Sequence, residues 1–143
     1  DTARFILTSL ATPSVTKEMK GLWERVPSGT YVWTIEHVLP QGKNLPDAWV
    51  TMIAGGDKAL AAQIQNDHVH ELGNLTLTGY NSTLSNLSFQ EKKLRKDKDG
   101  NPVGYLNGLN INDDIASRND WDEAAITART AKLVKDVIQL FTL

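Results

Sequence analysis

A glutamate and a histidine stand side by side where a predicted strand meets a turn. The stretch TIEHVLPQ places Glu36 and His37 shortly before Pro40, in a chain that has only three histidines. An ordinary strand would carry hydrophobic or neutral residues at these positions. Further along, three asparagines lie at the start of a second predicted strand and around the next helix start: Asn74, Asn81 and Asn86.

These residues together offer one neutral imidazole, one carboxylate and several amide oxygens. Hard oxygen ligands suit Mg²⁺ or Mn²⁺ rather than zinc. A histidine beside such an ion can deprotonate water, and the ion can polarise a phosphodiester. Metal-assisted phosphodiester hydrolysis is therefore one interpretation. The alternatives are ordinary structural roles. The His37 ring could be hydrogen-bonded by the backbone, Asn74 could belong to a turn, Asn81 could be a helix cap, and Asn86 could be an exposed helix residue.

The elements that must position these residues follow from the hydrophobic periodicity and the turn signals. Two strands are predicted, at 31–38 and within 70–81, and the alternation of leucine and threonine in the second indicates that one face is buried. Helices are predicted at 3–10, 16–26 (capped by Thr16), 47–56, 57–67, 82–96 and from Asp120 to the end. The four tryptophans are predicted to be core residues.

The bulk composition favours a single ordinary domain. The chain has 143 residues, of which 41% are hydrophobic, and it contains no cysteine. Disulfides and thiolate metal sites are excluded, which fits a cytoplasmic protein. No apolar run approaches the ~20 residues that a membrane span needs. The beginning resembles the middle of a helix rather than a signal peptide, so we expect a longer protein with a partner domain on the N-terminal side.

The charge balance argues mildly against a protein that coats nucleic acid, since the net charge is −2. A local basic run nevertheless spans 92–98. Such a run is most often a solvated helix end, but if the site hydrolyses phosphodiesters we expect some of it to contact the DNA backbone. The candidates are Lys92, Lys93, Arg95 and Lys96. We further expect His70 to lie near the site and orient a phosphate, and His68 to be a surface residue.

Two motifs, IEHVLPQ and HELGNLTLTGYNSTLSNLSFQEKK, resemble those of the HNH, or His-Me finger, nucleases. More closely, they are similar to the C-terminal nuclease domain of GmrSD-type restriction enzymes, which cut modified phage DNA. RFILTSL and DWDEAAITAR resemble the leading and closing helices of that family, so the resemblance covers most of the chain. It implies one α+β domain over 1–143, with a ββα-metal (His-Me) finger at about 31–96 embedded in helices.

The resemblance also implies roles for individual residues. His37 matches the general base, and Glu36 matches the acidic metal ligand. Asn74 matches the asparagine that fixes the loop carrying the histidine, and Asn81 matches the metal ligand on the helix. Asn86 and Lys93 match recurrent positions. The short gap between Asn74 and Asn81 leaves open whether Asn81 or Asn86 completes the metal site.

The resemblance implies a Mg²⁺- or Mn²⁺-dependent endonuclease that nicks double-stranded DNA as the cutting module of a phage-defence restriction system. It also implies an N-terminal, nucleotide-using sensor domain in the same protein. The rival hypothesis is a catalytically silent module that binds DNA or a partner through the same fold. A metal-independent RNA-cutting toxin is disfavoured because the motif centres on a metal.

Overall fold

The computed structural model describes residues 2–79 and 84–142, in which helices surround a small sheet. The helices are α1 (Thr2–Ala11), α2 (Asp47–Ala54), α3 (Lys58–His68), α4 (Phe89–Leu94), α5 (Asp113–Ala116) and α6 (Glu123–Phe141). The strands are β1 (Trp33–His37) and β2 (Leu75–Gly79), and short 3-10 helices lie at Thr12–Ser14, Leu72–Asn74 and Asn110–Asn112. This mixture confirms the predicted α+β class.

The two strands pair antiparallel, with Trp33 opposite Gly79 and His37 opposite Leu75. All five residues of β2 are buried, so the prediction that one face of this strand meets solvent was wrong. The threonine at position 76 is accommodated because its hydroxyl donates a hydrogen bond to the buried side chain of Asn112. The site-bearing end of β1 therefore pairs with a strand that is covered on both faces.

Two hydrophobic clusters form the core. One lies beneath the chain that leaves β1, and the other lies between α1 and the sheet. The first consists of Val38, Leu39, Trp49, Leu84, Phe89, Tyr105, Ile115, Trp121, Ala125 and Ile126. The second consists of Leu7, Ala11, Leu22, Val32, Trp33, Leu75, Leu77, Leu109 and Ile111. Burial of this much aliphatic and aromatic surface supplies the main driving force for folding.

The long helix α6 is fastened to the sheet by Arg129, whose side chain is buried. Its guanidinium donates hydrogen bonds to the carbonyls of Gly73, Leu75 and Ile111 at 2.6–2.9 Å and pairs with Asp114 at 3.2 Å. A Cβ at position 73 would lie 2.1 Å from the Ile126 carbonyl oxygen, so only glycine permits this close approach. These contacts hold the start of β2 against α6.

The predicted helix over 16–26 is absent, and the chain forms turns there instead. The Trp33 indole donates to the Lys20 carbonyl at 3.0 Å, and the Glu24 carboxylate accepts from the Gly21 amide at 3.2 Å. These bonds engage backbone groups that a helix would need. Trp23, within this segment, is half exposed, so the prediction that it is a core residue was wrong, whereas the other three tryptophans are buried as predicted.

The other predicted helices are all present, some with shifted starts, whereas the short α5 was not predicted. Gly55 ends α2 at φ 60°, and the Asp57 side chain caps α3 by accepting from the Leu60 amide, whereas no side chain of the described residues caps the start of α2. Helix α4 begins only at residue 89, where Ser88 caps it, and α6 is capped by Asp122 instead of Asp120. In the described part of the chain, no helix combines the length and apolarity that a membrane span requires.

Candidate active site

A polar cleft of about 270 Å³ opens at the end of β1. It is lined by Ile35, Glu36, His37, Pro40, Gln41, Gly42, Ser85 and Asn86. The structure therefore brings together three of the predicted site residues, namely Glu36, His37 and Asn86, from segments about 50 positions apart in the sequence. Asn81, the predicted ligand on the helix, lies outside the described residues.

His37 is held against a second histidine. Its Nε2 lies 3.2 Å from Nδ1 of His70, and the two rings meet edge to face with centroids 5.2 Å apart. Partial burial lowers the pKa of His37 below its ordinary value of about 6.5, and the neighbouring His70 and Lys92 lower it further. The His37 ring is therefore neutral near pH 7, which is the form that can accept a proton.

Glu36 is paired with a lysine that has no exposure to solvent. The Lys92 ammonium lies 2.7 Å from Oε1 of Glu36 and also donates to the carbonyls of His37 and Val38 at 2.9 and 3.0 Å. Burial raises the pKa of Glu36, although the Lys92 charge opposes this effect, and burial lowers the pKa of Lys92 against the attraction of Glu36. One carboxylate oxygen of Glu36 is thus committed to the protein, while the Glu36 side chain also lines the cleft.

Tyr105 closes the buried side of this ion pair. Its hydroxyl is fully buried and has no hydrogen bond of ordinary geometry to residues 2–79 or 84–142, but it lies close enough to Glu36 for the two groups to affect each other's pKa. Burial raises the pKa of Tyr105, so its hydroxyl keeps its proton. A Cβ at position 104 would lie 1.8 Å from the Lys92 carbonyl oxygen, so glycine is needed where this loop crosses α4.

Asn74 is completely buried and holds the chain that follows His37. Its Oδ1 accepts from the Leu39 amide at 2.8 Å and from the Trp121 indole at 3.0 Å. Its Nδ2 donates to the carbonyls of Leu39 and Val69 at 3.0 and 2.9 Å. These four hydrogen bonds all join Asn74 to other parts of the protein, so Asn74 positions the loop and does not touch a substrate.

The loop is fixed at a third point by Gln65 of α3, a residue that the sequence analysis did not single out. Its Nε2 donates to the carbonyls of Pro40 and Gly42 at 2.6 and 2.8 Å. Asn74, Lys92 and Gln65 together bind the backbone from residue 37 to residue 42. A glutamine beside Ala61 and Ile64 on the buried face of α3 is the sequence signal that could have revealed it.

Loss of the Asn74 side chain is expected to destabilise the protein strongly. Asn74→Ala would leave buried backbone groups of Leu39 and Val69 unpaired, at about 1–3 kcal/mol for each unsatisfied group. We expect the free energy of unfolding, measured by urea denaturation, to fall by about 3 kcal/mol or more. The exposed Asn119, changed to alanine, should shift it by less than about 0.5 kcal/mol. Equal stability of the two variants would contradict this role.

The basic run is only partly available to nucleic acid. Lys92 and Lys93 are buried, and Lys93 donates to the Arg118 carbonyl at 2.6 Å. These two lysines therefore do not form the solvated helix end expected of such a run, because both ammonium groups donate to backbone carbonyls. Arg95 and Lys96 are exposed just after α4.

The side chain of His68 contacts residues outside the cleft. Its Nδ1 is 2.9 Å from a carboxylate oxygen of Glu71, and its Nε2 is 3.4 Å from one of Glu123. His68 was expected to be a surface residue, but it is partly buried and links the end of α3 to the start of α6.

The cleft residues are compatible with a hard divalent cation. Besides Glu36, the residues that line the cleft include Gln41 and Asn86, which carry amide side chains, and Ser85, which carries a hydroxyl. Neutral oxygens and one carboxylate are the donor types that Mg²⁺ accepts together with water. Within residues 2–79 and 84–142, no group of three or more histidine and carboxylate side chains is arranged to hold a metal.

A histidine and a carboxylate that line the same polar cleft form the kind of site that a hydrolase uses. The chain belongs to the family described as GmrSD restriction endonucleases, C-terminal domain, whose sequence profile matches residues 1–136. This membership supports a nuclease role of the restriction-endonuclease type and confirms the resemblance to the GmrSD C-terminal domain. No curated protein and no solved structure shows significant similarity to the chain.

Proposed function

We propose that this domain is a Mg²⁺-dependent DNA endonuclease in which His37 is the general base. The observation that carries the proposal is the neutral His37 imidazole at the wall of a polar cleft, next to the Glu36 carboxylate that lines the same cleft. The two antiparallel strands followed by α4, which contributes Lys92 to the strand end, are consistent with a ββα-metal finger.

In this proposal His37 takes a proton from a water molecule, and the resulting hydroxide attacks phosphorus in line with the departing 3′ oxygen. Glu36, together with Asn86 or Asn81, would hold the Mg²⁺. When bound, that ion supplies charge neutralisation on the phosphate. Asn74, Gln65 and Lys92 act by holding the loop that carries these groups. Mn²⁺, which accepts similar ligands, should replace Mg²⁺.

The pairing of the two histidines gives His70 a positioning role. If His70 Nδ1 accepts from Nε2–H of His37, then Nδ1 of His37 is left as the proton acceptor. We expect His70→Ala to lower kcat about tenfold with little change in KM, because ring orientation is lost while the cleft remains. His70→Gln keeps a hydrogen-bond acceptor and should recover part of kcat. Variants with wild-type kcat would remove His70 from the site.

The lowered pKa of His37 determines the acid limb of the pH–rate profile. Since the base must be unprotonated, kcat/KM should rise with pH through the His37 pKa, with the midpoint of this rise below pH 6.5. Measurement at saturating Mg²⁺ with a plasmid substrate would locate the limb. A single limb centred above pH 6.5 would contradict the assignment.

Conversion of supercoiled plasmid tests the function directly. Wild-type protein with Mg²⁺ should produce nicked circles, and EDTA should abolish the reaction. One such site cuts one strand, so linear product should appear only after nicked product. DNA binding without cleavage in Mg²⁺ and Mn²⁺ would favour the silent binding module, and digestion of RNA in EDTA would favour a metal-independent ribonuclease.

The biological setting is proposed from family membership. A restriction-endonuclease domain of this kind would cut phage or modified DNA as the nuclease module of a defence system, working with an N-terminal nucleotide-using sensor domain of the same protein. Cleavage by a protein that contains both parts, compared on modified and unmodified DNA, would test this partnership.

A further inference from the structure

A groove continues from the cleft along one face of α3. Two adjoining depressions, of about 330 and 230 Å³, lie between this helix and the loop over residues 41–45. Gln41 borders both the cleft and the first depression, and Lys43 borders both depressions. His70, which touches His37, also lines the first depression. We call this continuous feature the α3 groove.

The helix wall of the α3 groove is a single stripe of side chains at spacings of three and four residues. The stripe consists of Lys58, Ala61, Ala62, Gln65, Asn66 and Val69. Residues at these spacings lie on one side of an α-helix. From Lys58 to Asn66 the stripe extends about 12 Å at 1.5 Å per residue. Alanines in its middle keep the groove open.

The charge of the α3 groove is positive. Lys43 on the loop and Lys58 at the start of α3 are both exposed, and no carboxylate lines either depression in the described part of the chain. The two walls are tied together by Gln65, which donates to the carbonyls of Pro40 and Gly42. The groove is therefore a preformed cationic surface that begins at the proposed base.

We propose that the α3 groove is the track of one DNA strand as it leaves the cleft, with Lys43 and Lys58 contacting its phosphates. One strand of a duplex carries a phosphate per 3.4 Å of axis, so about 12 Å of groove spans roughly three phosphates. This inference rests on the proposed nuclease function and adds the path of the substrate. It assigns backbone contact to two isolated lysines instead of to the run at 92–98.

The salt dependence of DNA binding tests the track. Affinity of the Lys43→Gln/Lys58→Gln double variant for a fluorescein-labelled duplex would be measured by anisotropy over a series of KCl concentrations in EDTA. Each lost phosphate contact lowers the slope of log K against log salt by about 0.9, so a reduction of about 1.8 is expected. The double variant Lys17→Gln/Lys135→Gln removes the same charge from exposed positions elsewhere and should keep the wild-type slope.

A third variant, Arg95→Gln/Lys96→Gln, compares the groove with the exposed end of the basic run. A reduced slope in the groove variant alone, with KM raised and kcat maintained, supports the track. Wild-type binding with an unchanged slope in the groove variant overturns the track and leaves the nuclease proposal standing. Failure of the wild-type protein to bind the duplex at any salt concentration overturns both. Circular dichroism would show that all three variants are folded.

Discussion

Replacing His37 by alanine is expected to slow plasmid nicking by about 10²- to 10⁴-fold, the range that a positioned general base contributes. The effect should fall on kcat, because His37 acts on the attacking water and DNA affinity comes from phosphate contacts elsewhere. Anisotropy with a labelled duplex should therefore give a Kd close to that of the wild-type protein. Unchanged nicking by His37→Ala would remove the catalytic assignment.

The matched control is His68→Ala. His68 is also partly buried, but its partners are Glu71 and Glu123, not the cleft residues. We expect this variant to cleave at nearly the wild-type rate, with a modest loss of stability. An equal loss of cleavage in both variants would mean that removal of a histidine acts through folding and not through chemistry.

Replacement of Lys92 by methionine should produce the largest loss of stability among the site variants. The ammonium has no solvent exposure and satisfies Glu36 and two backbone carbonyls, and removal of one partner from a buried ion pair costs about 3–5 kcal/mol. Urea denaturation should show a decrease of this size in the free energy of unfolding. Nicking should fall as well, because the same carbonyls belong to the strand end that carries His37.

A double-mutant cycle with Glu36→Gln separates the ion pair from simple packing. If Glu36 and Lys92 stabilise each other, the double variant should lose less stability than the sum of the single losses. Lys96→Met, at an exposed position four residues further on, should change stability by less than about 0.5 kcal/mol. A Lys92→Met protein as stable as the wild type would show that the pair has no structural role.

The parts of the fold with strong local signals could be predicted from the sequence. The strand that carries Glu36 and His37 is rich in β-branched and aromatic residues, and the helices α2 and α3 carry their own caps. The helix predicted over 16–26 does not form, because a residue outside that segment takes one of its backbone carbonyls. The Trp33 indole takes the Lys20 carbonyl, and nothing within the segment indicates this.

The same limit applies to the candidate site. The motifs indicated His37 and Glu36 as a pair. Lys92 was assigned to a solvated basic run instead, because its partner lies 56 positions away in the sequence. Its burial follows from the fold. Phe89 of α4 packs on Trp121, and Lys92, about one helical turn further on, therefore also faces the core. Gln65 and Tyr105 escaped notice for the same reason, since each acts on a residue that is far away in the sequence.

Arg129 has a consequence for the order in which the domain acquires its activity. Synthesis reaches β1 and β2 well before α6, yet Gly73 and Leu75 are held by Arg129, and Asn74 receives the indole hydrogen of Trp121. A nascent chain in which Arg129 and Trp121 are still inside the ribosome lacks the hydrogen bonds that hold the loop after His37. The catalytic geometry would thus be completed only after α6 has been synthesised, so that chains that lack α6 would be inactive.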